Sequence, residues 1–301
     1  MPVPLANPSK AEKQPASSAP RPREPFDAPA PLRLWHLTSC DAPTIAVIWS
    51  LSFAWALRVH LPGWISALLV LGTWFVYVGD RLLDTRSALR SGNLGSLRER
   101  HFFHWRHRRL LVPLASCAAI LAATIIFSLM PPAARERNSV LAFAALAYFS
   151  SVHMPRVRPK NLSGLRSKEL IVGILFTAGC ALPVLARLHA TAKSAASPGP
   201  LLILVIFFAA LAWLNCSAIE RWESAEEHGI STAAFTLAAI GMLSALGIFF
   251  YQPRMSALFL AGSASAVLLG WLDRRRDLFT PLALRCFADL VLLTPIFCFA
   301  R

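Results

Sequence analysis

The stretch Val76-Tyr77-Val78-Gly79-Asp80-Arg81-Leu82-Leu83-Asp84 decides how the chain is read. It closes an apolar run that begins at Trp64 and hands it to a strongly basic segment. Asp80 and Asp84 are four residues apart, so on a continuing helix they project from one face, one turn apart. Two carboxylates held like that at a membrane surface can share a divalent cation through oxygen ligands. The same spacing also suits ordinary ion pairs with Arg81 and Arg86 on a solvated helix end, which are common and contribute little.

Composition places that stretch in a membrane. The chain is 55% hydrophobic and only 15% charged, against about 25% charged residues in soluble domains. Residues 1–31 carry nine prolines among Ala and Ser, cannot form a core and read as a disordered tail. They contain no apolar core followed by a small-residue cleavage site, so they do not read as a secretory signal. Leu32 to Cys40 leads into the membrane, with Trp35 and His36 suited to the interface. Nine apolar segments follow, at 42–58, 62–80, 110–130, 138–153, 169–186, 200–219, 230–251, 255–272 and 279–299. Each is near the ~20 residues that span a bilayer as a helix. The expected fold is all-α: a polytopic domain over 32–301 with nine transmembrane helices around a central cavity.

Lys and Arg set the expected orientation. The tail and the connections after segments 2, 4, 6 and 8 carry 22 of them, the opposite side 7, and Arg285 lies inside segment 9. This asymmetry predicts a cytoplasmic N-terminus and an outer C-terminus, in a bacterial inner membrane. It also accounts for the net charge of +14 without nucleic acid, for which no recognition motif is present. The six cysteines show no CxxC or ligand spacing, so neither a disulfide framework nor a zinc site is expected. Ser96 to Arg109 mixes Phe102, Phe103 and Trp105 with arginines and with His101, His104 and His107. It reads as a basic helix lying on the inner leaflet rather than a metal site.

On the same predicted face, segment 6 ends in Asn215-Cys216-Ser217-Ala218-Ile219-Glu220-Arg221-Trp222-Glu223, followed by Glu226 and Glu227. Glu220 and Glu223 again share a helical face. Two acidic pairs facing one cavity suit Mg²⁺ bridging a diphosphate, and they equally suit ordinary helix-end charges. The connection after segment 4 supplies cations on that side: Arg156, Arg158, Lys160, Arg166 and Lys168, preceded by Tyr148. Arg285 and Asp289, four apart inside segment 9, read as a local structural pair.

These residues resemble the UbiA superfamily of intramembrane prenyltransferases. That family has nine transmembrane helices, a cytoplasmic N-terminus and acidic motifs at the inner ends of helices 2 and 6. Asp80 and Asp84 match the later aspartates of its NDxxDxxxD motif, and Val76 and Tyr77 stand where the family has Asn and Asp. Glu220 and Glu223 stand for its DxxxD motif at shorter spacing. Tyr148 to Arg156 is similar to its Tyr…Lys-Arg loop, and Lys168-Glu169, Gly173 and Pro183 to its fifth helix.

The resemblance implies Mg²⁺ held by Asp80, Asp84, Glu220 and Glu223. It further implies a prenyl diphosphate contacted by Arg156, Lys160, Lys168, Tyr77 and Asn215, with the prenyl group passing to a lipophilic, often aromatic, acceptor. Trp49, Trp74 and Tyr77 would shield the allylic cation. A transporter would place broken helices near the midplane instead. A CDP-alcohol phosphotransferase would show an Asp-Gly…Ala-Arg pattern that is absent. A non-catalytic membrane protein with the same fold is the remaining alternative.

Overall fold

The computed structural model describes residues 25–92, 95, 97–153, 165–191, 199–224 and 229–299. Among these the chain is helical, and the single β-bridge joins Phe26 to Phe279. The helices are α1 (Ala30–Leu37), α2 (Asp41–Leu57), α3 (Gly63–Ser91), α4 (Glu99–Arg106), α5 (Arg108–Leu129) and α6 (Pro132–His153). They continue with α7 (Leu165–Thr191), α8 (Gly199–Ser224), α9 (Ser231–Ile248), α10 (Pro253–Arg274) and α11 (Pro281–Val291). A 3₁₀ turn over Thr294–Phe299 finishes the last segment.

Each apolar stretch of the sequence is a helix, and the protein is an all-α polytopic membrane protein. Among the described residues seven helical segments are long and apolar enough to cross a bilayer, and α1 with α2, bent by 88° at their junction, makes an eighth if the pair is one span. α6 is not among them, because it takes in Arg135, Glu136, Arg137 and Asn138 near its start. The packing is that of a membrane bundle. Ile120, Phe127, Phe143, Leu243 and Leu246 are exposed, whereas Ala234, Ala238, Gly241 and Ala245 of α9 are buried. Small residues let helices approach closely where lipid offers no hydrophobic incentive to associate.

Three local features place the polar residues. α3 does not stop at Val78: it runs to Ser91 and ends where Gly92 takes a φ of 71°. Its last turns therefore project beyond the apolar run. α4, the basic helix expected at the leaflet, packs against α3, α1 and α5. His101 and His104 are buried on its inner side and Phe102 is exposed. Residues 25–29, expected within the disordered tail, are tied to the segment before α11: Phe26 N–H donates to Leu278 O at 2.7 Å, and Thr280 N–H to Phe26 O at 2.9 Å.

Candidate functional site

The ionisable residues gather at the end of the bundle where α4 lies. On α3, Arg81 Nη1 donates to Asp80 Oδ2 at 2.8 Å, and Asp84 Oδ2 is 3.6 Å from His101 Nε2. Tyr148 on α6 is within electrostatic reach of Asp80, Asp84 and Glu169, the last being a buried residue of α7. Glu169 is in turn within reach of Glu220 on α8 and of Lys168. Asp80 and Asp84 are thus linked through Tyr148 to Glu169, and Glu169 to Glu220, in a chain of electrostatic neighbours. The sequence reading had Glu169 only as part of a family-like helix.

Beside it lies a cationic group. Glu223 accepts from Arg100 Nη1 at 2.8 Å and from Arg285 Nη1, and Arg98 Nε stands 3.6 Å away. Arg98 Nη2 also donates to the Glu223 carbonyl at 2.9 Å. Burial, reinforced by Arg285 and Arg81 and opposed by Glu223, pulls the Arg100 guanidinium down to about 9. Arg81 Nε and Arg100 Nε are buried, and neither finds a hydrogen-bond partner among the described residues. Arg98, Arg100 and Arg285 thus gather on Glu223, and Arg81 pairs with Asp80.

α4 ties both groups down. His101 Nδ1 accepts from Arg98 N–H at 3.0 Å, which leaves Nε2 as the protonated nitrogen facing Asp84. His104 Nδ1–H donates to Arg100 O at 2.7 Å, and its Nε2 is 3.3 Å from Ser39 Oγ. Burial holds both imidazoles below their ordinary range, His104 at about 4, so they are neutral at pH 7.

A second cluster sits under the α1–α2 corner. Ser39 takes a left-handed φ of 56°, which turns α1 across the bundle end. Trp74 Nε1–H donates to Thr38 O at 2.9 Å and Trp35 Nε1–H to Thr44 Oγ1 at 3.2 Å, pinning the corner. His36 is thereby carried into the interior. Its Nδ1 is 2.6 Å from Asp41 Oδ2 and 3.4 Å from Asp289 Oδ2. Asn215 Nδ2 donates to Asp289 Oδ1 at 3.2 Å.

The sequence-predicted residues therefore separate. Asp80 and Asp84 lie within electrostatic reach of Tyr148, and Glu220 within reach of Glu169 instead; Glu223 is engaged by arginines; Asn215 belongs to the His36 cluster. Tyr77 lies between, with Arg81 5.7 Å from its ring centre and Asp41, Asp289 and Cys216 within electrostatic reach. Arg285 and Asp289 lie within electrostatic reach of each other, as expected, but their contacts go elsewhere, Arg285 to Glu223 and Asp289 to His36 and Asn215. Trp49 does not face a site: it is fully buried, stacked on Phe208 at 4.0 Å, with its indole N–H on Leu292 O. Arg156, Lys160, Glu226 and Glu227 lie outside the described residues. No family model, curated protein or solved structure matches the chain.

Proposed function

We propose that the chain is a divergent, UbiA-like intramembrane prenyltransferase with nine spans and its N-terminus in the cytoplasm. It transfers a prenyl group from a prenyl diphosphate to a lipophilic acceptor, with Mg²⁺, at the cytoplasmic side. The observation that carries this reading is the carboxylate chain beside a guanidinium cluster with two buried, unpartnered Nε–H groups. Buried donors without acceptors are costly, and the Arg81 and Arg100 Nε–H groups call for an acceptor. A diphosphate supplies both acceptor oxygens and negative charge.

Asp80, Asp84, Glu169 and Glu220 offer hard oxygen donors, the kind Mg²⁺ requires; among the described residues no three of them converge within 4.8 Å, so Asp80 and Asp84 would hold the ion and the diphosphate would complete its shell. Glu223 fits a different role, since its carboxylate already orients Arg100 and Arg285. When bound, Mg²⁺ would neutralise the diphosphate and stabilise the charge that develops on it as the allylic C–O bond breaks. The chain's own part is to hold the diphosphate oxygens with Arg81, Arg100 and Arg285, assisted by Lys168, so that the leaving group is stabilised without reorganisation. Tyr77 would stand beside the reacting carbon. The surrounding apolar helices exclude water from the cation.

The test is binding of labelled geranylgeranyl diphosphate to the purified protein, with and without Mg²⁺, alongside Asp84→Asn and Arg100→Gln. Binding is expected to need Mg²⁺ and to weaken about tenfold or more in each variant, one charge-assisted contact being worth roughly 1.5–3 kcal/mol. Binding indifferent to Mg²⁺ and to both variants, or none at all, would overturn the reading and leave a non-catalytic or transport-type membrane protein.

A further inference from the structure

We infer that the His36–Asp41–Asp289–Asn215 cluster is a receptor for the hydroxyl group of a lipophilic acceptor, with His36 Nε2 taking its proton. Proton transfer rests on the prenyltransferase reading; hydroxyl binding stands without it.

The neighbours of the His36 ring decide which nitrogen carries hydrogen. Asp41 faces Nδ1 at 2.6 Å and Asp289 at 3.4 Å, and the nearer, Asp41, as a carboxylate only accepts. Nδ1 is therefore the donor, and in a neutral ring Nε2 is left as a lone-pair acceptor. That Nε2 is buried, in a residue 3% exposed, and has no partner among the described residues. Asn215 repeats the pattern: its amide N–H goes to Asp289, which leaves a buried, unpartnered Oδ1. Two orphan acceptors, both anchored on Asp289, select a ligand that brings O–H or N–H donors. In an apolar bundle such a ligand is lipophilic and presents a phenol or alcohol.

The three ligating atoms of His36, Asp41 and Asp289 lie within 4.8 Å of one another, which invites a metal. The geometry favours a hydrogen-bonded relay instead. A tetrahedral ion with bonds of about 2.0 Å sets its ligand atoms about 3.3 Å apart, so the 2.6 Å Nδ1–Oδ2 contact is too short for two ligands of one ion. A metal-bound histidine also normally anchors its other nitrogen, and here that nitrogen is bare.

A carboxylate that fixes Nδ1–H and stabilises the imidazolium makes Nε2 an effective base. Asp289 sits one helical turn from Arg285 on α11, so the base adjoins the diphosphate site. In the step, the allylic C–O bond breaks and its electron pair leaves on the diphosphate. The acceptor oxygen's pair forms the new bond to carbon, and its proton passes to Nε2.

The test uses the purified full-length protein with decyl hydroquinone and its dimethyl ether, which lacks donors. His36→Asn keeps an N–H donor for the carboxylates and removes the acceptor nitrogen. The hydroquinone should raise the unfolding temperature by several degrees and the ether should not. His36→Asn should abolish that difference, keep Mg²⁺-dependent geranylgeranyl diphosphate binding within about twofold, and slow transfer to decyl hydroquinone about 100-fold. Equal effects of hydroquinone and ether on the wild-type protein overturn the inference whether or not the variant folds. Stabilisation by Zn²⁺ in place of the hydroquinone, or wild-type transfer by the variant, overturns it too. Hydroquinone binding without any prenyl diphosphate binding would sink the transferase reading and its proton-transfer step, and leave the hydroxyl site standing.

Discussion

The α9–α10 hairpin and the α4 end of the bundle are held together by opposite means. In the hairpin, Ala234, Ala238, Gly241 and Ala245 lie toward Gly262, Ser263, Ala266 and Gly270, and the contact is almost wholly apolar. Two side-chain hydrogen bonds cross it, Ser256 Oγ to Ala245 O at 2.8 Å beside the turn and Ser231 N–H to Asp273 Oδ2 at 2.9 Å at the open end. At the α4 end, helices meet through Arg, Glu, Asp and His. Along its small-residue stretch the seam tolerates little added volume but carries no charge to be stranded; its buried carboxylate, Asp273, sits at the open end. A buried charged layer is tied to its partners, because each group removed leaves another uncompensated. Nothing about holding helices together requires the second solution, since the first does so without it. The charged layer is better explained by chemistry than by stability.

The contrast breaks most sharply at Glu223. Glu223→Ala leaves Arg100 and Arg285 facing each other with their shared carboxylate gone, and should cost about 3 kcal/mol or more, read as lost thermal stability in detergent. Glu99→Ala removes an Arg–Glu pair with Arg33 whose partners are each 43% exposed, and should cost under about 1 kcal/mol. Equal losses would mean that burial does not distinguish the two.

The hairpin has its own breaking point. A Cβ at Gly241 would run into Ser263 Oγ and the Phe207 ring. Gly241→Leu should therefore destabilise by about 1–3 kcal/mol through overpacking, while leaving ligand binding at the α4 end unchanged. Loss of that binding in a folded Gly241→Leu protein would show that the two regions are coupled.

What could be read from the sequence follows the same division. The apolar segments were legible because length and hydropathy act locally, and each became a helix. Asp80 and Asp84 were legible as a pair because four residues along one helix fix their relation. The partners of Glu223 were not, because Arg98, Arg100 and Arg285 come from 62 to 125 residues away. His36 was taken for an interfacial residue because nothing local announces the 88° corner that carries it inside. Arg285 and Asp289 drew attention as charges in a span, but spacing on one helix suggested a mutual pair where tertiary packing supplied other partners. The burial of His101 and His104 stayed hidden for a similar reason. A basic, aromatic helix suits the leaflet, and only the packing of α4 on α3 shows which side is buried.

The histidines of α4 give the comparison its finest edge, because the hairpin has nothing that titrates near neutrality. His104 is held at about 4 by burial, against about 6.5 when unfolded. Its folded form resists protonation, so protons bind preferentially to the unfolded chain between those values, and stability falls as pH is lowered through that window. His101, also held down mainly by burial, acts in the same direction. Moving from pH 7 to pH 5.5 should cost about 1 kcal/mol for His104 alone, seen as a lower unfolding temperature. His104→Asn preserves a donor for Arg100 O and removes the titrating ring, so its unfolding temperature should drop less over the same range. An unchanged drop would place the acid sensitivity elsewhere, with the carboxylates. The α4 layer would then be held by its arginines rather than by its neutral imidazoles.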